Sequence, residues 1–420
     1  MPLTRIEAHN FKSFRDIDVT LGSLNVLIGA NASGKSNFVQ LLNFIRNLGS
    51  YGLDNALSMQ GGNEYFNNLA IGDSMPFRLA LAFPGDPTNT TIFNAHKSFV
   101  IAHATHFLYS LVIESAKTTK HTTTAVDHIN IDYDFSEYTR LDPPIGKPVG
   151  AGVIEVQLLD GKVDITVSTP EDVSITEMLY QLPDTTLYPR KNKGLLLELL
   201  STISLMSASD FPEIVSSLTI YDFNTKLPKQ TAQITGKIDL EEDGSNLVIA
   251  LKNILEDQSQ RREFSNLLHD VLPFAEDVDV QRLADRFLHF RLRESYSGDQ
   301  YLPASLLSDG TIHVIALIVA LFFSDKPLIV IEEPERNIHP YLLARVAELL
   351  KDASRNKQII VTTHNPEIVK NVALDDLLFV SRDREGFSTI RRPVESADVR
   401  VFLENEIGID ELFARNLLGA

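Results

Sequence analysis

The sequence predicts an α/β fold: a mixed or parallel sheet flanked by helices, with an inserted α+β region and no long coiled coil. Three observations predict it. Short, near-continuous apolar segments alternate with helical patterns at both ends of the chain, as in a parallel sheet covered on both faces. The middle holds strand-like pieces separated by Pro and Gly. No heptad pattern is sustained anywhere.

The elements follow in order. Leu3 to Asn10 reads as a mixed strand, and Ile17 to Leu21 alternates as a half-buried strand does. Leu24 to Ile28 is a compact apolar strand. A Gly-containing loop, Gly29 to Gly34, leads into a helix from Lys35 to Leu48, with Phe38, Leu41, Leu42, Ile45 and Leu48 at helical spacing. Strands are expected at Phe77 to Phe83, Ile129 to Phe135, Val153 to Leu159 and Val163 to Val167. The Pro- and Gly-rich stretch from Pro143 to Gly152 reads as a loop. Gly194 to Met206 and Asn246 to Leu255 look helical. Farther on come an apolar helix, Ile312 to Phe323, buried strands at Leu328 to Ile331 and Ile359 to Thr362, and helices from about Tyr341 and after Asn365. The expected units are an N-terminal lobe (1–85), an inserted region (86–240) and a C-terminal lobe (241–420).

Composition narrows the function. The formal charge is -18, so a surface that coats nucleic acid would have to be a local basic patch. The chain has no cysteine, which excludes disulfides and thiolate metal sites. Met1 to Phe11 does not read as a signal peptide. The longest apolar run, His313 to Phe323, is shorter than the roughly 20 residues a bilayer requires. A cytoplasmic protein is expected.

Four segments carry chemistry. Gly29-Ala-Asn31-Ala32-Ser33-Gly34-Lys35-Ser36 fits G-x-x-x-x-G-K-[ST] between a strand and a helix. Its backbone N–H groups can curl around phosphate oxygens, with the helix N-terminus behind them. Lys35 can reach the β- and γ-phosphates of ATP, and the Ser36 hydroxyl can bind Mg²⁺. Leu328-Ile-Val-Ile-Glu332-Glu333 delivers two carboxylates at the carboxyl end of a strand, where open α/β sheets bind ligands. Glu332 is the candidate Mg²⁺ ligand and Glu333 the candidate general base. Leu307-Ser308-Asp309-Gly310-Thr311 precedes a helix. It reads either as a plain N-cap or as a second anion site, useful if it caps a γ-phosphate bound by another chain. Ile359 to Pro366 brings His364 to a strand end, where imidazole can bond the γ-phosphate or the attacking water. Phe287 to Arg293 alternates, with His289, Arg291 and Arg293 on one face. It reads as a phosphate-binding strand or as a solvated sheet edge. Arg382, Arg384, Arg391 and Arg392 form a second weak basic cluster, read either as a contact patch or as plain surface.

In this order the segments resemble the head of an ABC-type P-loop ATPase. The opening Asn10-Phe11-Lys12-Ser13-Phe14 and Leu24-Asn-Val-Leu-Ile-Gly29 are similar to the SMC and RecF branch. The signature at Leu307 to Thr311, the stretch Ile331 to Pro340 and Thr363-His-Asn-Pro look like the bacterial "AAA family ATPase" subgroup. That subgroup includes the ATPase parts of OLD-type nucleases and of phage-defence systems. The resemblance implies a head-to-tail homodimer, with ATP held between Gly29 to Ser36 of one chain and Ser308 to Gly310 of the other. Glu335 to Pro340 would cross the interface as the D-loop. Asn37 and Lys12 are expected near the nucleotide, and Gln60 as a Q-loop contact to Mg²⁺. OLD-type nucleases carry a C-terminal nuclease domain, and the roughly 55 residues after His364 are too few for one. The expected role is therefore a nucleotide-driven clamp that regulates a separate effector, such as a nuclease, in anti-phage defence. The alternatives are a RecF-like repair clamp that binds DNA and a slowly turning scaffold assembled by ATP.

Overall fold

A computed structural model describes residues 2–85, 90–95, 98–115, 122–141, 144–159, 162–170, 195–196, 211–234, 238–283 and 286–395. The chain forms two compact units: Met1–Leu21, Ser36–Leu218 and Arg382–Ile390, then Gly22–Lys35, Thr219–Ser381 and Arg391–Ala420. Strands of both directions alternate with helices, so the fold is mixed α/β.

The first unit is built on antiparallel strands. Arg5–Phe11 pairs with Phe14–Thr20 on one side and Phe77–Pro84 on the other. The series continues through Ser98–Ser115, Thr122–Leu141, Pro144–Leu159 and Lys162–Ser168. The helix Lys35–Tyr51 turns an apolar face to this unit, with Phe38, Leu41, Leu42, Phe44, Ile45 and Leu48 buried. Phe44 meets Phe11, Phe66 and Phe77, whose ring centroids lie 4.7 to 6.4 Å apart. Such tilted and edge-on aromatic contacts anchor the helix beyond simple area burial.

From Pro144 on, the stretch expected as a loop is part of the strand Pro144–Leu159. The pairing register with Thr122–Leu141 slips between Phe135, opposite Gly150, and Ser136, opposite Pro148. A proline has no N–H to give a ladder, and a bulge is where a sheet tolerates one. The helix expected over Gly194 to Met206 lies outside the described residues, apart from Leu195 and Leu196, which are buried. Among the described residues the longest helix is the 17-residue Lys35–Tyr51, so none of them forms a long coiled-coil arm.

The second unit holds five parallel strands in the order Thr219–Tyr221, Leu328–Glu332, Gln358–Thr363, Leu24–Ile28 and Leu377–Arg382. Leu24–Ile28 and Gln358–Thr363 are buried at every position, as strands covered on both faces must be. The helix Asp309–Phe322 is buried from Thr311 through Leu321, a core helix apolar nearly all round. The expected strand Phe287 to Arg293 is not a sheet edge. It sits between Ala275–Leu283 on one side and Ala232–Gln233 and Tyr301–Pro303 on the other. Among the described residues no helix is long and apolar enough to cross a membrane.

Candidate nucleotide site

Parallel strands place all their carboxyl ends along one edge. In the second unit that edge carries the Gly29–Lys35 loop, Glu332 and Glu333, His364, and Asp222, which follows the strand Thr219–Tyr221.

The loop is tightly built. Ser33 N–H donates to the Ala30 carbonyl at 3.2 Å. Ala32 and Gly34 both have positive φ, 61° and 123°. Asn31 and Ala32 are exposed, while Ser33 and Gly34 are buried. A side chain on Gly29 would place Cβ 2.2 Å from the Val380 carbonyl oxygen. Close approach to the neighbouring strand demands glycine there. Lys35 folds back and donates to the carbonyls of Gly29 and Ala30, at 2.7 and 3.1 Å. Burial lowers its pKa, and the negative charges of Glu333 and Glu335 oppose that shift. The loop lysine and the acids are thus within electrostatic reach of one another.

Glu332 ends its strand half-buried. Burial raises its pKa, and Asp222 raises it further. Glu333 takes a positive φ of 48°, and its N–H donates to the Thr362 carbonyl at 2.9 Å. Its carboxylate lies 3.3 Å from His364 Nδ1 through Oε1 and 3.2 Å from Arg336 Nε through Oε2. Arg336 reaches on to Asp222 Oδ1 at 2.6 Å. Glu335 is buried; its Oε1 accepts from Thr363 Oγ1 at 2.5 Å, and burial raises its pKa.

At the signature turn, Ser308 caps the helix, its Oγ accepting from Thr311 N–H at 3.0 Å. Ser308 is exposed, and Asp309 pairs with Lys229 at 2.5 Å. A Cβ on Gly310 would meet the Asn337 carbonyl at 2.5 Å, so this turn and the Glu335 to Pro340 segment are in contact. Behind it His313 is fully buried and edge-on to Phe223. Burial, aided by the Arg336 charge, pushes its pKa down to about 4.

The remaining expected residues belong to the first unit. Ser36 is the exposed second residue of the helix opened by Lys35, and Asn37 donates to Ser13 Oγ at 2.6 Å. Lys12, its pKa lowered by burial, lines a cavity of about 470 Å³ with Ser13, Asn37, Gln40, Tyr65 and Arg382. Gln60 is buried and its amide donates to the Gln40 carbonyl at 3.3 Å. Asp222 was not singled out in the sequence, and Glu335 and Arg336 entered only as part of the Glu335 to Pro340 segment expected as a D-loop, with no role of their own.

The site suits a nucleoside triphosphate with Mg²⁺. The cradle at Gly29 is too close to its neighbour for a methyl group, the loop carries a lysine at the sheet edge that also carries Glu332 and Glu333, and a hydroxyl follows at Ser36. Among the described residues no three His, Asp or Glu side chains form a metal cage.

Two family models match. The one described as an AAA ATPase domain covers residues 1–141. The one described as an AAA domain, putative AbiEii toxin, Type IV TA system, covers residues 199–370. Between them they take in the Gly29–Ser36 loop and the acidic strand end. Neither model spans half of the chain; over these stretches the chain is similar to AAA-type ATPase domains. Among curated proteins, Protein ea59 of Escherichia phage lambda is 34% identical over 17% of this chain and 14% of its own length. The Septu protein PtuA of Bacillus thuringiensis is 30% identical over 20% of this chain and 23% of its own. The matched stretch thus spans less than a quarter of either relative. Among solved structures, the SMC head domain from Thermotoga maritima covers 93% of this chain and 99% of its own at 15% identity, with a TM-score of 0.40. An SMC head from Pyrococcus furiosus bound to the C-terminal domain of ScpA covers 96% and 98% at 14% identity, with a TM-score of 0.43.

Proposed function

We propose that this chain hydrolyses ATP with Mg²⁺ and works as a head-to-tail homodimer that closes on nucleotide. The supporting observation is that parallel strands bring the Gly29–Lys35 loop and the Glu332-Glu333 strand end to one carboxyl edge. In this reading the loop N–H groups and Lys35 bind the phosphates. Ser36 and Glu332 would hold Mg²⁺, which when bound neutralises phosphate charge. Glu333 takes the proton of the attacking water, and His364, 3.3 Å from Glu333, orients the same region. Ser308 and Gly310 cap the partner's γ-phosphate. Loss of phosphate then removes the bridge between the chains.

Its biological role is that of a regulator in anti-phage defence, acting on a separate effector. The signature and D-loop resemblance supports this, as does the match to a model named for a toxin of a type IV system. The repair-clamp alternative gets no support from the Phe287–Glu294 strand. Arg291 is paired with Asp279, and Arg293 with Glu276 and Asp299.

The test has three arms. Lys35→Ala should abolish ATP binding in an equilibrium titration. Glu333→Gln should retain ATP and accumulate a dimer on size exclusion. Steady-state hydrolysis at the wild-type rate in Glu333→Gln removes that residue from catalysis. Co-purification with the product of an adjacent gene tests the regulator role.

A further inference from the structure

Arg336 has no part in the scheme above, yet it makes the most connected contact at the site. Its Nε lies 3.2 Å from Glu333 Oε2, and its Nη1 lies 2.6 Å from Asp222 Oδ1. Both pairs are about one-third exposed or more, where an ion pair adds little to stability. Stability therefore does not account for them, and their geometry suggests positioning.

Glu333 is the first residue beyond its strand, in the left-handed region at φ 48°, a conformation costly for a residue with a side chain. Its backbone is fixed by the bond to Thr362 O and by a turn in which Arg336 N–H donates to the Glu333 carbonyl at 2.9 Å. Those bonds leave the side-chain torsions free. Arg336 folds back across the same turn onto one carboxylate oxygen, while His364 Nδ1 lies 3.3 Å from the other. The guanidinium is itself flexible, but Asp222 holds its far end. Asp222 directly follows Tyr221, which is in register with Ile331, and its N–H donates to the Glu242 carbonyl at 3.0 Å. A chain of fixed contacts thus runs from the strand Thr219–Tyr221 to the Glu333 carboxylate.

We propose that Arg336, pinned by Asp222, is a positioning residue that aims the Glu333 carboxylate for water activation. The inference rests on the ATPase reading above, with Glu333 as base. A base must sit within hydrogen-bond reach of the proton it takes. A displacement of 1 Å away from the chemistry can cost about 100-fold in rate.

The experiment measures ATP affinity and steady-state turnover of the full chain on the same preparations. Arg336→Ala should keep its affinity within about twofold and lose roughly tenfold or more in turnover. Arg336→Lys should recover part of that loss, and Asp222→Asn should show a smaller loss. Because both residues act along one path, the double variant should be no slower than Arg336→Ala alone. In a Glu333→Gln background Arg336→Ala should change nothing further. Turnover within about twofold of wild type in Arg336→Ala, or losses that multiply in the double variant, overturns the proposal. If Arg336→Ala does not fold, Asp222→Asn and Arg336→Lys decide: a turnover loss at unchanged affinity in either supports the proposal, and none in both overturns it. Wild-type turnover in Glu333→Gln alone sinks the underlying reading instead, so the two failures are distinguishable.

Discussion

Gly29→Ala should damage the fold and the nucleotide site together. The added Cβ would stand 2.2 Å from the Val380 carbonyl oxygen and 2.7 Å from Ser33 Oγ. Real Cβ atoms essentially never approach within 3.0 Å, so something must move by close to 1 Å. Val380 cannot yield easily, because it lies in a buried strand that pairs in parallel with Leu24–Ile28. The loop therefore shifts. Overpacking of this kind costs about 1–3 kcal/mol. The same shift exceeds the roughly 0.5 Å tolerance of a preorganised site. Thermal unfolding and an ATP titration on one preparation read both effects: a lower midpoint and a loss of affinity of roughly 100-fold. Gly22→Ala is the control, since its Cβ would lie 3.6 Å from its nearest atom, and it should stay within about 0.5 kcal/mol of wild type. A Gly29→Ala protein with wild-type midpoint and affinity would refute the close-approach argument.

Other outcomes follow from the same geometry. His313 is held to a pKa of about 4 in the folded chain against an ordinary value of 6.5. Between those values the unfolded chain takes up a proton and the folded chain does not. Its contribution is therefore complete above pH 6.5 and is lost as pH falls toward 4, by about 3 kcal/mol in all. Midpoints recorded from pH 7.5 to 4.5 should fall more steeply for wild type than for His313→Leu, and equal slopes would rule this out. Ser308→Ala loses an N-cap and should cost about 1 kcal/mol. Ser308→Asp keeps a capping oxygen and should hold its midpoint, yet its charge should prevent ATP-dependent dimerisation seen by size exclusion. Dimerisation by Ser308→Asp at wild-type ATP concentrations would reduce Ser308 to a cap alone.

The strands and loop at the site were legible because their signals are local. Leu24–Ile28 and Leu328–Glu332 are apolar runs, and the Gly29–Ser36 motif needs only its flanking strand and helix to be recognised. Asp222 was not legible. Its strand is three residues long and exists by pairing with a segment more than a hundred residues away. Arg336 looked like any charged loop residue until Asp222 was placed beside it. The Pro- and Gly-rich stretch misled because turn chemistry was judged without partners, and the strand Thr122–Leu141 pairs with it. The alternation of Phe287 to Arg293 was read correctly as a strand, but its cations could not be matched to acids on neighbouring strands from sequence alone.

The contact between Gly310 and the Asn337 carbonyl leaves no space for even a methyl group. Asn337 is itself in the left-handed region at φ 64°. Two segments that the proposed dimer would turn to its partner are therefore machined from one block. A push on either displaces both, and an engineer who enlarges residue 310 edits the loop at 337 without touching its codon.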